Sequence, residues 1–241
     1  MNKILITGAS SGIGRQLAQD YAQQGWQVIA CGRNRAALEQ LAADDGSIYP
    51  LVSDVTDRTE TLNAFANLPF IPELWILNAG NCEYIDDGLM DTERLARVFA
   101  VNVFGVAICL EAIQSRLMKG HRVAIVGSIA SELALPRAEA YGASKAAVGY
   151  LARSLALDWQ NKGVAITTIF PGFVATPLTD KNNFPMPMMI TVQQASKAIR
   201  TGLAKGKKNI YFPARFTWMI RLLALLPYRW QHQWVKWLVR V

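Results

Sequence analysis

Short apolar runs that alternate with stretches of helical periodicity limit what this chain can fold into more than any other feature. Residues 4–6, 28–30, 47–52, 74–77, 123–126, 164–170 and 210–212 read as strands. They are largely continuous apolar runs, the pattern of strands covered on both faces of a parallel sheet. Helical stretches lie near 34–43, 56–67, 91–118, 138–161 and 192–204. A further one puts Leu17, Ala18, Tyr21 and Ala22 on one face before Gly25 closes it. Strand alternating with helix over 241 residues, without repeats or a linker, predicts one doubly wound α/β domain with a parallel sheet of about seven strands. The alternation covers residues 1–212 and leaves 213–241 as a C-terminal helical extension.

The first strand ends in a glycine-rich turn, Thr7-Gly8-Ala9-Ser10-Ser11-Gly12-Ile13-Gly14, which leads directly into the first helix. Glycines at this place let the backbone turn tightly and approach a pyrophosphate, and the helix N-terminus favours the negative charge. The turn therefore predicts a Rossmann-type dinucleotide site. The second strand ends Cys31-Gly32-Arg33-Asn34, without the acid that usually holds the ribose 2′-hydroxyl of NAD. Arg33 could pair with a 2′-phosphate instead, and Arg15 lies at the adjoining helix start. The expectation is NADP(H) in preference to NAD(H).

Tyr141 and Lys145 are four residues apart in the helical stretch at 138–161, so they share a face. An ammonium one turn away favours the phenolate. On spacing alone an ordinary Tyr and Lys on a solvated helix face is the better reading. A metal site is not expected, because Cys31, Cys82, Cys109, His121 and His232 show no ligand spacing.

The ordered set Thr7-Gly-x3-Gly-x-Gly14, Asp54-Val55, Asn78-Ala79-Gly80, Asn102, Ser128, Tyr141-x3-Lys145 and Pro171-Gly172 resembles the classical short-chain dehydrogenase/reductase family over about residues 1–212. Ser128 precedes Tyr141 by thirteen residues, the spacing the family uses, whereas Leu77 stands where many members have a second Asn. The resemblance implies an NAD(P)-dependent oxidoreductase acting on a carbonyl/alcohol pair, with Asn102, Ser128, Tyr141 and Lys145 as its catalytic set. Tyr141 would donate or accept the proton, Lys145 would lower the Tyr141 pKa and bind the nicotinamide ribose, and Ser128 would bind the substrate oxygen. Asn102 would hold a water linking Lys145 to solvent. For the cofactor it implies Gly8, Ser10, Ser11, Gly12, Ile13 and Gly14 at the phosphates, and Arg33, Asp54 and Val55 toward the adenosine. Asn78, Ala79 and Gly80 would line its middle, with Tyr141, Lys145, Pro171, Gly172 and Thr176 at the nicotinamide. Taken blandly, Ser128 is a strand-end hydroxyl, Asn102 a buried amide and Asp54 a cap for the helix at residue 56. A catalytically idle NADP(H)-binding regulator is the alternative reading.

The substrate is expected beyond the carboxyl ends of the strands, walled by residues 82–85, 129–135 and a lid at about 173–195. The lid carries Phe173, Phe184, Met186, Met188, Met189 and Ile190, interrupted by Pro177, Pro185 and Pro187, which suits a hydrophobic carbonyl or alcohol equally with plain cover for the core. Small residues Ala143, Ala146, Ala147 and Gly149 would let the Tyr/Lys helix pack closely in a dimer or tetramer. Net charge is +7, but residues 181–241 hold 11 Lys/Arg and no acid, while 1–180 hold 14 Lys/Arg against 18 Asp/Glu. In the extension, a helical wheel gathers Trp230, Trp234, Trp237, Val235, Leu238, Val239 and Val241 on one arc, with Gln231 the polar intruder. Arg229, His232, Gln233, Lys236 and Arg240 fill the other. Residues 216–241 could thus lie on a membrane surface, pack on their own domain, roof the pocket or form a subunit contact. Nucleic acid is the least favoured partner, because the Trp residues recur at helical spacing. No apolar stretch approaches the ~20 residues of a spanning helix, and the N-terminus lacks a signal-peptide pattern. The expected location is the cytoplasm, with the periphery of a membrane as the alternative.

Overall fold

All seven apolar runs pair side by side in the computed structural model, which describes residues 2–239 except Lys181 and Asn183, with the side chains of Leu238 and Val239 also left aside. They are β1 (Lys3–Thr7), β2 (Gln27–Gly32), β3 (Ile48–Val52), β4 (Leu74–Leu77), β5 (Arg122–Val126), β6 (Ala165–Pro171) and β7 (Asn209–Phe212). The sheet order is β3-β2-β1-β4-β5-β6-β7, and every pairing is parallel. Such a sheet needs helical crossovers, and the chain supplies them in α1 (Gly12–Gln23), α2 (Arg35–Asp44), α3 (Arg58–Ala66), α4 (Thr92–Phe99), α5 (Gly105–Ile113), α6 (Glu139–Gln160) and α7 (Val192–Ala204).

Alternate strand residues feed two cores. Ile4, Ile6, Val28 and Ala30 face α1, α2 and α7 through Leu17, Leu38 and Ile199. Leu5, Ile29, Trp75 and Val123 face the other layer through Phe65 of α3, Cys109 and Ile113 of α5, and Val148 and Trp159 of α6. Asn34, Asp57 and Thr191 cap α2, α3 and α7, each side-chain oxygen accepting a first-turn backbone N–H. The cap of α3 is therefore Asp57, and Asp54 folds instead onto the backbone N–H and hydroxyl of Thr56.

The long helical stretch expected near 91–118 runs from Thr92 to Ile113 and carries an irregular turn. Between α4 and α5 the residues Ala100–Phe104 form a π-helical turn, and α5 stops at Ile113. Taken together, Thr92–Ile113 is 22 residues long and apolar enough to cross a membrane by length and composition, which corrects the expectation that no such stretch exists. Its Val106, Cys109, Leu110 and Ile113 are packed into the core against the sheet.

After β7 the chain forms a helical hairpin, α8 (Ala214–Ala224) and α9 (Tyr228–Val239). Phe216, Ile220 and Val235 turn inward and form a third apolar cluster with Ile129 and Leu133, joined by Phe173 and Tyr211. Gln231, the polar intruder on the wheel, donates from Nε2 to the carbonyls of Ala224 (3.0 Å) and Leu226 (2.8 Å), which satisfies acceptors left open at the end of α8. The three Trp residues expected beside Val235 are outside this cluster and exposed. Arg240 and Val241, also on the expected faces, lie outside the described residues.

Candidate active site

Strand order reverses at β1 and β4, and between the ends of two such strands a parallel sheet leaves a crevice. Side chains at that point hold it in shape. Thr7 Oγ1, at the end of β1, accepts the backbone N–H groups of Asn78 and Ala79, both at 3.0 Å. Asn78 Nδ2 returns a bond to the Thr7 carbonyl at 3.1 Å. Gly8 and Gly12 have φ of +67° and +52°, which favours glycine at both places. Gly14 is required for space: a Cβ there would run into the Gly8 carbonyl and the Asn78 amide.

The resulting cleft has a volume of about 510 Å³, within the range of small-molecule sites. Gly8, Ser10, Ser11, Gly12 and Ile13 line one end, with Arg33, Asp54 and Val55 beside them. Asn78, Ala79 and Gly80 form the middle, and Tyr141, Lys145, Pro171, Gly172 and Thr176 line the other end. Gly14, Ser128 and Asn102 are buried and not among the lining residues, and Arg15 is half-buried outside the lining. A cradle whose glycines leave no room for Cβ atoms, extended between a helix start and a Tyr/Lys pair, fits a dinucleotide.

Sequence reasoning did not single out Gly32, Ser53, Val126 or Thr179 as lining residues. Gly32 has a legible signal, its position at the end of β2, where a Cβ would sit 3.3 Å from Ser10 Oγ. Thr179 has none: its hydroxyl accepts the Thr176 N–H at 2.9 Å and donates to the Val174 carbonyl, fixing the loop that bears Thr176.

At the adenosine end Arg33 is largely exposed and stands 3.5 Å from Asp54. Burial alone would raise the Asp54 pKa, but hydrogen bonds from Thr56 and the Arg33 charge outweigh it and hold the carboxyl below its usual range. Asp54 is thus an anion at neutral pH and a competitor for the Arg33 guanidinium.

At the other end Tyr141 and Lys145 rise from the first turns of α6. Burial pushes the Tyr141 phenol above its ordinary range, the nearby Cys82 adds to this, and a hydrogen bond with Ser128 opposes it. The expected lowering by Lys145 is not what this arrangement produces. Lys145 Nζ donates instead to the Val126 carbonyl at 2.9 Å and lies 5.8 Å from the centre of the Tyr141 ring. Only 4% exposed, Lys145 has its own pKa drawn down from 10.5 to about 8, chiefly by burial. Ser128 Oγ accepts the Ala130 N–H at 3.1 Å, which begins the short 3-10 turn Ile129–Ser131.

Asn102 is fully buried within the π turn. Its Oδ1 accepts the Asn81 N–H at 2.8 Å, and its Nδ2 donates to the Asn81 carbonyl and to Ser144 Oγ, both at 2.9 Å. Ser144 donates in turn to the Tyr141 carbonyl at 2.7 Å. Asn102 therefore ties the segment that follows β4 to the helix that carries Tyr141 and Lys145. A Cβ on Gly80 would stand 3.3 Å from Asn102 Oδ1 and 3.4 Å from Lys145 Nζ, so Gly80 is what lets these groups approach.

The expected lid is only partly a pocket wall. Phe184 packs edge-on to Tyr84 (5.3 Å) and lies 6.2 Å from Phe173, which meets Phe216 of α8 at 5.5 Å. Arg137, paired with Asp86 at 2.7 Å, covers both Tyr84 and Phe184. Ile190 pairs with Val174 and joins the main core. Met188 and Met189 are exposed. Among the described residues no group of three His, Cys, Asp or Glu could hold a metal ion, and Cys31, Cys82 and Cys109 are all buried.

A family model described as short chain dehydrogenase matches residues 2–186. An uncharacterized oxidoreductase of Myxococcus xanthus is 34% identical over 232 residues, 92% of each chain. The chain belongs to the short-chain dehydrogenase/reductase family. It is an oxidoreductase of that family with a nucleotide-binding Rossmann fold. Another relative, 32% identical over 87% of this chain and 73% of its own length, is the NADPH-dependent 1-acyldihydroxyacetone phosphate reductase of Saccharomyces cerevisiae. The fold matches a Burkholderia cenocepacia short-chain dehydrogenase solved with NADP, at a TM-score of 0.86 and 24% identity over 97% of both chains. It also matches a Burkholderia phymatum family member solved with NAD, at 0.83 and 22% identity over 92% of both chains.

Proposed function

We propose that this family member is an NADP(H)-preferring reductase or dehydrogenase of a hydrophobic carbonyl/alcohol pair. One observation carries the reading: Tyr141, hydrogen-bonded to Ser128, and Lys145 stand on the wall of the same cleft as the glycine turn. When bound, the nicotinamide supplies or takes the hydride. Tyr141 keeps its proton at neutral pH and hands it to the carbonyl oxygen in the reducing direction. Ser128 binds the same oxygen and fixes its distance from the phenol. Lys145 holds a positive charge beside the nicotinamide end, and Asn102 positions it by tying Asn81 to α6.

Preference for NADP(H) is supported by Arg33 at the end of β2, by the lack of an acid there, and by the NADPH-dependent yeast relative. A hydrophobic substrate is supported by the aromatic cluster of Tyr84, Phe184 and Phe173, in which Tyr84 lies near Tyr141, and by that relative's acyl-bearing ketone. Homo-oligomers would form through the exposed α6 stripe of Ala143, Ala146, Tyr150 and Leu157, with Phe104, the last residue of the π turn, exposed as well; Gly149, expected there, is buried. Cytoplasmic location is part of the same proposal. An idle NADP(H)-binding regulator is less supported, because Asn102, Ser128, Tyr141 and Lys145 are all present and Tyr141 and Lys145 line the cleft. The test is Tyr141→Phe, measured by absorbance at the NADPH band with a panel of aliphatic aldehydes and ketones. Turnover should fall at least about a hundredfold with NADPH binding intact; a Phe variant that turns over like its parent would refute the role.

A further inference from the structure

The hairpin of α8 and α9 has one face that the fold uses and one that it does not. Inward, Phe216, Ile220 and Val235 close the third apolar cluster. Outward, α8 exposes Trp218 (61%), Leu222 (50%) and Leu225 (81%), at positions one and two turns apart on a single stripe. On α9 the exposed residues Trp230 (53%), Trp234 (44%) and Trp237 (71%) repeat the same spacing. Large side chains at this spacing are ordinarily the buried side of a helix, and here each helix has such a side left over after its core contacts are made.

Charge decides what could cover them. Arg215 and Arg221 flank the α8 stripe, Arg229 and Lys236 lie beside the α9 stripe, and residues 181–241 contain no acid. Arg221 is partly engaged over the Tyr211 ring at 4.3 Å. A second copy meeting this face by a two-fold axis would bring basic residue against basic residue with no acid to offset it. An anionic lipid surface meets both demands: Trp residues favour the headgroup boundary, and each basic residue near the surface gains from its negative potential. Helices of 11 and 12 residues are too short to span a bilayer, so they would lie in its plane.

We propose that the outer face of this hairpin docks the protein on anionic membranes, the two apolar stripes entering the headgroup region and Arg215, Arg229 and Lys236 contacting phosphates. The proposal does not depend on the cofactor or on the substrate. Because the inner face of the same hairpin packs on Ile129, Leu133 and Phe173, docking sets the substrate side of the cleft close to the lipid.

Co-sedimentation of the full chain with vesicles of phosphatidylglycerol and of phosphatidylcholine tests it. Binding to the anionic vesicles should be about a hundredfold tighter and should weaken with added salt. The combined substitution Trp230→Ser, Trp234→Ser and Trp237→Ser should abolish sedimentation while NADPH binding persists. If that variant fails to fold, Arg215→Gln with Arg229→Gln and Lys236→Gln gives the second arm and should remove most of the preference for phosphatidylglycerol. The proposal is overturned by three results: no sedimentation with phosphatidylglycerol at low salt, undiminished binding by the folded variants, or a smaller assembly in the Trp variant by light scattering. The last result would assign the face to a second copy of the chain.

Discussion

Lys145→Met should make the protein inactive and, at neutral pH, more stable. The amine is 4% exposed, and burial draws its pKa from 10.5 to about 8. That gap corresponds to about 3 kcal/mol that the folded protein gives up to keep the amine charged. Between pH of about 8 and 10.5 the unfolded chain holds a proton that the folded chain has released, so stability rises with pH across that window. Below about 8 both states are protonated and the cost is present in full; above 10.5 it is gone. Methionine keeps the volume and removes the charge, but it leaves the Val126 carbonyl without the 2.9 Å donor, a loss of about 1 kcal/mol that does not vary with pH. The variant should therefore melt above its parent at pH 7 and below it near pH 10.5. The difference between the two should swing by roughly 6–12 °C for about 3 kcal/mol in a domain of this size. Thermal unfolding of both proteins in steps across this range, at one ionic strength, reads the swing directly. Melting curves that stay parallel over the whole range would refute a charged, strained lysine at this position.

Two further expectations concern the ends of the cleft and the outside of the fold. Arg33→Ala should weaken NADPH binding about 10- to 100-fold and leave NADH nearly unchanged, as expected for loss of a charge-assisted bond to a 2′-phosphate; calorimetric titration with each cofactor decides it, and equal losses would remove the basis for the preference. Tyr150→Glu puts a charge into the exposed stripe of α6 and should reduce the assembly measured by light scattering, whereas an unchanged mass would move the subunit contact elsewhere.

The parts of this molecule legible in the sequence are those that depend on period and on glycine. Seven apolar runs became seven parallel strands because strands covered on both faces are filled mostly by apolar side chains. Gly8, Gly12 and Gly14 announced their turn because only glycine satisfies its φ values and its lack of space. Ser128, Tyr141 and Lys145 were legible through family spacing. What the sequence hid are contacts made by small polar groups across long stretches of chain. Thr7 bonds to backbone 71 and 72 residues away, and nothing in a lone threonine says so. Gln231 looked like a flaw in an apolar arc and is the clasp between α8 and α9. The Trp residues of α9 had the period of a buried face, but the hairpin's angle against the domain spends its packing on Val235. Arg33 was read toward a phosphate, and its present neighbour is Asp54, a residue 21 positions on.

The π turn at Ala100–Phe104 behaves as one residue inserted into an otherwise regular helix. Removing it would rotate everything downstream by about 100° relative to α4. Gly105, where a Cβ would stand 2.9 Å from Val55, and the core residues Val106, Cys109, Leu110 and Ile113 would all leave their seats on the sheet. Asn102 could then be freed from its irregular turn only by unpacking α5. The stability of one whole layer thus acts as the lock on a single amide, and drift that preserved the core would carry the site along with it.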